Sequence, residues 1–78
     1  GVEESGLESV KLYPNPANDK IWMEGLEGEH EISIYNAMGI KVESVIKQND
    51  FELSIDGLTA GLYLISIDGR HTMRFIKK

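Results

Sequence analysis

The chain of 78 residues contains no cysteine, so disulfides, thiolate metal sites and a thiol nucleophile are all excluded. It has only two prolines, Pro14 and Pro16, and both fall in one short stretch. No apolar run approaches the roughly 20 residues of a membrane-spanning helix, and Gly1-Val2-Glu3-Glu4 lacks the basic and apolar regions of a secretory signal. An exported form would therefore carry its signal further upstream. Basic residues are also scarce: the net charge is -5, which argues against a nucleic-acid binder, whose expected footprint is clustered Lys and Arg.

Charge is instead divided along the chain. Residues 1 to 31 hold eight acids and two bases, whereas residues 70 to 78 hold four bases (Arg70, Arg74, Lys77, Lys78) and no acid. Basic side chains on a terminal strand either protect an edge from unwanted pairing or attract an acidic partner. A chain this short builds one core, and a core of this size rarely supplies more than about 3 to 5 kcal/mol.

Apolar residues recur with period two in short runs, and turn residues fall every eight to twelve positions, the pattern of an all-β sandwich. Val10 and Leu12 begin the first strand, and Pro14 and Pro16, without N–H donors, end it. Asn18 and Asp19 favour a turn into a strand over Lys20 to Glu24, which puts Ile21 and Met23 on one face and Trp22 on the other. Gly25 and Gly28 close that strand. Further strands follow over Glu31 to Asn36, Ile40 to Lys47, Phe51 to Ile55, Leu62 to Ile67 and His71 to Lys77, with Asp68-Gly69 as a hairpin turn. Leu62 to Ile67 is apolar on both faces apart from Ser66 and predicts a central strand covered on both sides. Seven strands pairing in sequential antiparallel order make two packed sheets, an immunoglobulin-like sandwich. The expected core is Val10, Leu12, Ile21, Ile32, Ile34, Val42, Leu53, Ile55, Tyr63, Ile65 and Phe75.

Catalytic chemistry has little to build on. His30 and His71 each follow a turn and lie far apart in sequence, which reads as structural placement and not as a metal pair or general base. No Gly-x-Ser-x-Gly elbow occurs. Asn15, Asn18 and Asp19 offer oxygens in one loop, but their spacing matches no EF-hand and points to turn capping. No catalytic, cofactor or metal residues are expected. Trp22, opposite the Ile21 and Met23 face, is the side chain best placed for a saccharide.

Four segments carry a family resemblance: Leu12-Tyr13-Pro14-Asn15-Pro16-Ala17, Ile34-Tyr35-Asn36-Ala37-Met38-Gly39, Leu58-Thr59-Ala60-Gly61-Leu62-Tyr63 and Phe75-Ile76-Lys77-Lys78. In order and spacing they resemble the C-terminal sorting domain of type IX (Por) secretion systems of Bacteroidetes, over about residues 10 to 78. The resemblance implies a seven-stranded immunoglobulin-like domain that is not an enzyme and that follows an upstream cargo domain, with residues 1 to 9 as the linker. It implies passage from the periplasm across the outer membrane to the surface or medium. The implied partners are translocon components and a sortase-type peptidase that usually removes the domain. The recognition elements it implies fall on Pro14, Asn15, Pro16, Gly39, Gly61 and Tyr63, and on the tail Arg74, Phe75, Ile76, Lys77 and Lys78. The tail is expected to combine charge with backbone pairing at a sheet edge. Exposed edges predict a homodimer for the isolated domain. The alternative reading is a retained docking module, or an adhesion or carbohydrate-binding module that uses Trp22 and the loops.

Overall fold

The structure, a computed structural model, describes residues 10–78. The proposed linker over residues 1 to 9 lies outside the described residues. The strands are β1 (Lys11–Tyr13), β2 (Lys20–Glu24), β3 (Glu29–Asn36), β4 (Lys41–Gln48), β5 (Phe51–Ser54), β6 (Gly61–Ile67) and β7 (His71–Lys77). They form two antiparallel sheets, ordered β1-β2-β5 and β4-β3-β6-β7. This is the expected seven-stranded immunoglobulin-like sandwich. Sequential pairing holds only for β1–β2, β3–β4 and β6–β7; the β2–β5 and β3–β6 pairs join strands distant in the chain. The chain crosses between sheets after β2, after β4 and after β5, because each sheet needs the apolar face of the other to bury its own.

Alternation decides which side chains enter. Ile21 and Met23 of β2 face Leu53 and Phe51 of β5, and Ile32 and Ile34 of β3 pair with Ile67 and Ile65 of β6 on the inner side of the second sheet. All eight are buried, with Val10, Ile55, Tyr63 and Phe75. Leu12 packs partly against them. Val42 does not: it is 37% exposed, because a bulge opposite Ile34 and Tyr35 adds one residue to β4 and reverses the inward parity there. Val45, opposite Ile32, faces the core instead. Ala17 and Leu26, outside any strand, complete the core at the loops.

The expected double cover of β6 is corrected as well. The strand is central in its sheet, yet Leu62 and Leu64 remain 43% and 36% exposed, since only the inner face has a sheet against it. Among the described residues nothing packs over the outer face deeply enough to bury them.

Turn chemistry agrees with the residues present. Asp68 and Gly69 both have positive φ, 57° and 67°, and the Arg70 N–H donates to the Ile67 carbonyl at 3.0 Å, the primed turn that suits strand twist. The β2–β3 and β4–β5 loops, which both cross between the sheets, are then tied together by side chains. Asp50 Oδ1 accepts from the Gly25 N–H at 2.8 Å, and Asn49 Oδ1 accepts from the Gly28 N–H at 2.9 Å. At the same end Asp68 accepts the Glu31 N–H at 2.9 Å and meets His30 Nδ1 at 2.7 Å, while His30 Nε2 lies 2.8 Å from the Glu27 carbonyl. Both ring nitrogens face acceptors, so the doubly protonated imidazolium satisfies both contacts. His30 is thus turn-adjacent as expected, but half-buried and bonded at both nitrogens rather than solvated.

Two outcomes follow from this packing. Ile34→Ala or Ile65→Ala, each leaving a cavity at a fully buried site, should cost about 2–5 kcal/mol, whereas Val42→Ala should cost under about 1 kcal/mol. Thermal unfolding of the three variants checks the inward and outward assignment. The second concerns pH: the hydrogen bond to Asp68 raises the pKa of His30 above its ordinary 6.5, and the same bond lowers that of Asp68 below 3.8. The His30 contribution is therefore full below its unfolded pKa and is lost as pH rises through the raised folded value. The Asp68 contribution is present above its unfolded value and is lost as pH falls through the lowered one. The melting temperature relative to His30→Gln should thus drop as pH rises from the ordinary histidine value of 6.5 through the raised folded value; parallel profiles for the two proteins would remove the pair from the stability account.

Candidate functional site

The two proline-rich and basic segments, 57 or more residues apart in sequence, are one structural unit. After β1 the chain turns away from its own sheet at Pro14, Asn15 and Pro16 and runs alongside the outer edge of β7, forming a parallel bridge between Ala17 and Lys77. The Ala17 N–H donates to the Ile76 carbonyl at 2.7 Å, and the Lys78 N–H donates to the Ala17 carbonyl at 2.8 Å. Asn15 works with them: its Oδ1 accepts the Ile76 N–H at 3.0 Å, and its Nδ2 reaches the Arg74 carbonyl at 3.4 Å. Prolines flanking Asn15 donate nothing and compete for none of these acceptors. Ala17 is fully buried beneath the strap.

This corrects the expected role of the tail. From Arg74 to Lys78 the outward main-chain groups named above already have partners within the chain, so this stretch of β7 is a covered edge and not a vacant one. What the tail offers outward is side chains. Arg74, Ile76 and Lys78 are exposed, Lys77 is half-buried, and Phe75 is fully buried.

Tyr63 is buried beside Phe75, its cross-strand partner, with ring centroids 5.6 Å apart and planes inclined by 18°. Its hydroxyl donates to the Thr59 carbonyl at 2.7 Å. A tyrosine near the start of a strand, bonded to the backbone a few residues upstream, is the corner found in immunoglobulin-like sandwiches. Tyr63 and Phe75 therefore shape the domain from within.

Gly39 and Gly61 stand at the same end of the four-stranded sheet. Gly39, φ 85°, closes the β3–β4 turn, where Asn36 Oδ1 accepts the N–H groups of Met38 and Ile40 at 2.9 and 3.0 Å. Gly61 opens β6 with φ 151°. At neither glycine would a Cβ meet an atom within 4 Å, so the requirement is backbone conformation and not space. Between them lies an open recess lined by Met38, Ala60 and Leu62 among others.

Pro14, Asn15, Pro16, Arg74, Phe75, Ile76, Lys77 and Lys78 are thus gathered at one edge, and Gly39, Gly61 and Tyr63 shape the adjoining end. Asn15 was expected to cap its own turn; its partners lie 59 and 61 positions away, a pairing for which local sequence carries no signal. Trp22 is half-buried on the outer face of the three-stranded sheet, between Tyr13 and Glu52. Among the described residues no group of three or more His, Cys, Asp or Glu is placed to hold a metal ion.

Comparison with known proteins agrees with this arrangement. No curated protein matches the chain. One solved structure that superposes on it is PorZ, described as an essential bacterial surface component of the type-IX secretion system of human oral-microbiomic Porphyromonas gingivalis, with TM-score 0.74 and 18% identity over 100% of this chain. The chain spans 12% of the length of that structure's chain, and the likeness concerns the fold. The family model for the secretion system C-terminal sorting domain matches residues 11–78, and so takes in all seven strands, the strap and the tail. The chain belongs to the family of C-terminal sorting domains and is a sorting-signal domain of type IX secretion.

Proposed function

We propose that the domain works without chemistry of its own, as a folded tag that the translocon of the outer membrane binds and that a sortase-type peptidase removes once the cargo has crossed. A sorting domain of this kind implies a cargo that passes through the periplasm to the cell surface or beyond. The observation supporting the finer reading is the strap: Asn15 and Ala17 hold Arg74 to Lys78 in one fixed shape, so the basic tail meets a receptor already ordered. Pre-ordering lowers the entropic cost of binding, and the concentration of bases on a chain of net charge -5 draws an acidic receptor from a distance.

An isolated copy would also pair with another copy through an open edge such as β4, the outermost strand of its sheet. Light scattering at high concentration checks this, a strictly monomeric mass counting against it.

Residues 1 to 78, fused behind a periplasmic reporter in a cell with a type IX system, should bring the reporter to the surface or medium. Deleting Arg74 to Lys78 should leave it in the periplasm. Because loss of Phe75 alone unseats the core, Lys77→Glu/Lys78→Glu serves as the folded comparison and should also reduce export. Asn15→Ala, which removes the acceptor of the Ile76 N–H and the donor to the Arg74 carbonyl, should lower stability by about 0.5–1.5 kcal/mol and export with it. Export at the unaltered level for both the deletion and the charge reversal, together with loss of saccharide binding in Trp22→Ala, would favour the adhesion module instead.

A further inference from the structure

The register of the four-stranded sheet sorts its outer face into rows. One row crosses all four strands as Ser44, Ser33, Ser66 and Thr72. The next, nearer the β3–β4 turn, reads Lys41, Tyr35, Leu64 and Arg74. Beyond it Leu62 stands opposite Ile76. Leu62, Leu64 and Ile76 are 43%, 36% and 49% exposed, and Lys41 Nζ lies 5.9 Å from the centre of the Tyr35 ring. The result is an exposed apolar centre with a cation at either end and a level band of small hydroxyls along one side.

The charges distinguish this face from the opposite one. Although the chain carries -5 overall, the outward strand positions of these last two rows hold no carboxylate; Glu29 and Glu31, the outward acids of β3, lie beyond the hydroxyl band. On the outer face of the three-stranded sheet, by contrast, carboxylates are present and each has a partner within the sheet. Lys20 pairs with Glu52 at 2.9 Å, and the Tyr13 hydroxyl donates to Glu24 at 2.7 Å. An apolar patch rimmed by charge marks a protein contact, its centre supplying burial and its rim supplying orientation and encounter rate.

We propose that the Lys41-Tyr35-Leu64-Arg74 row, with Leu62 and Ile76, is the face by which a partner protein holds this domain, the partner's surface being apolar at its centre with carboxylates at two points about 14 Å apart. That spacing follows from the three inter-strand steps of about 4.8 Å between β4 and β7. A flat sheet face is also what remains for docking on the β7 side, since the outer edge of the tail is occupied by Asn15 and Ala17. The inference rests on the sorting reading and extends the receptor's contact from Arg74 and Ile76 of the tail to side chains of β3, β4 and β6.

The full chain fused to a periplasmic reporter tests it in a cell with a type IX system. Lys41→Glu/Arg74→Glu and, separately, Leu64→Ser should each lower reporter export at least tenfold, while the opposite-face variant Lys11→Glu exports as the unaltered chain does. Melting temperatures of the purified chains within a few degrees of the original keep misfolding apart from lost docking. A photoreactive benzoylphenylalanine replacing Leu64 should give an adduct that disappears with Lys41→Glu/Arg74→Glu, and one replacing Trp22 should give none. Unchanged export in both the charge-reversed and Leu64→Ser variants overturns the proposal, as does the absence of an adduct from position 64. A dimer in light scattering that Leu64→Ser converts to monomer would make the face a contact between copies and overturn it equally. If the unaltered fusion itself stays in the periplasm, the sorting reading falls, and the charge-sensitive adduct from position 64 alone decides the docking face.

Discussion

The main-chain pairing between Ala17 and the edge of β7 is the constraint on which the rest of the domain depends. Its two backbone bonds and the Asn15 side chain join the end of β1, in one sheet, to the last strand of the other. A sandwich of this size has little burial to spare, and its weakest places are the edges where the sheets can part. Here one such place is closed by a segment whose prolines cannot pair elsewhere. Ala17, which makes that closure, is fully buried in the core, a position at which a larger side chain would have to displace its packed neighbours. Tyr63 and Phe75 extend the same support inward, so the segments that carry the family resemblance supply mostly the domain's own internal braces.

That division changes what recognition means for such a domain. Tyr63 and Phe75 are out of a receptor's reach, and Gly39 and Gly61 present backbone shape. Under the proposed function, contact falls to what these residues leave exposed: Arg74, Ile76 and Lys78 from the tail, Pro14 and Pro16 from the strap, and the strand side chains beside them. A substitution in the motif can therefore abolish sorting without touching the receptor, by letting the presented surface lose its shape.

The strands were legible from alternation and turn residues, because both are local. Ile21, Met23, Ile32, Ile34, Ile65 and Phe75 face inward as period two requires. Val42 escaped because one inserted residue in β4 reverses parity without leaving a mark in composition. Leu62 and Leu64 look buried in sequence, and only the layer count shows that one face of β6 has no neighbour. The β2–β5 and β3–β6 pairs escaped for the same reason as the Asn15 contacts: they join distant positions, and nothing in a short window distinguishes their partners. The tail was recognised as basic and alternating, but its covered edge required knowing where Ala17 goes.

The separation of 61 positions between Asn15 and Ile76 also has a temporal meaning. A chain made from its N-terminus exposes Asn15 long before its partner exists, so the strap stays without its β7 contacts until that strand is made, whereas β1 has β2 as a near neighbour in the chain. Non-local closures of this kind slow folding and make it cooperative at the last step. The domain is therefore built to remain unfinished until β7 arrives, and the surface around that strand comes into being only with the completed molecule.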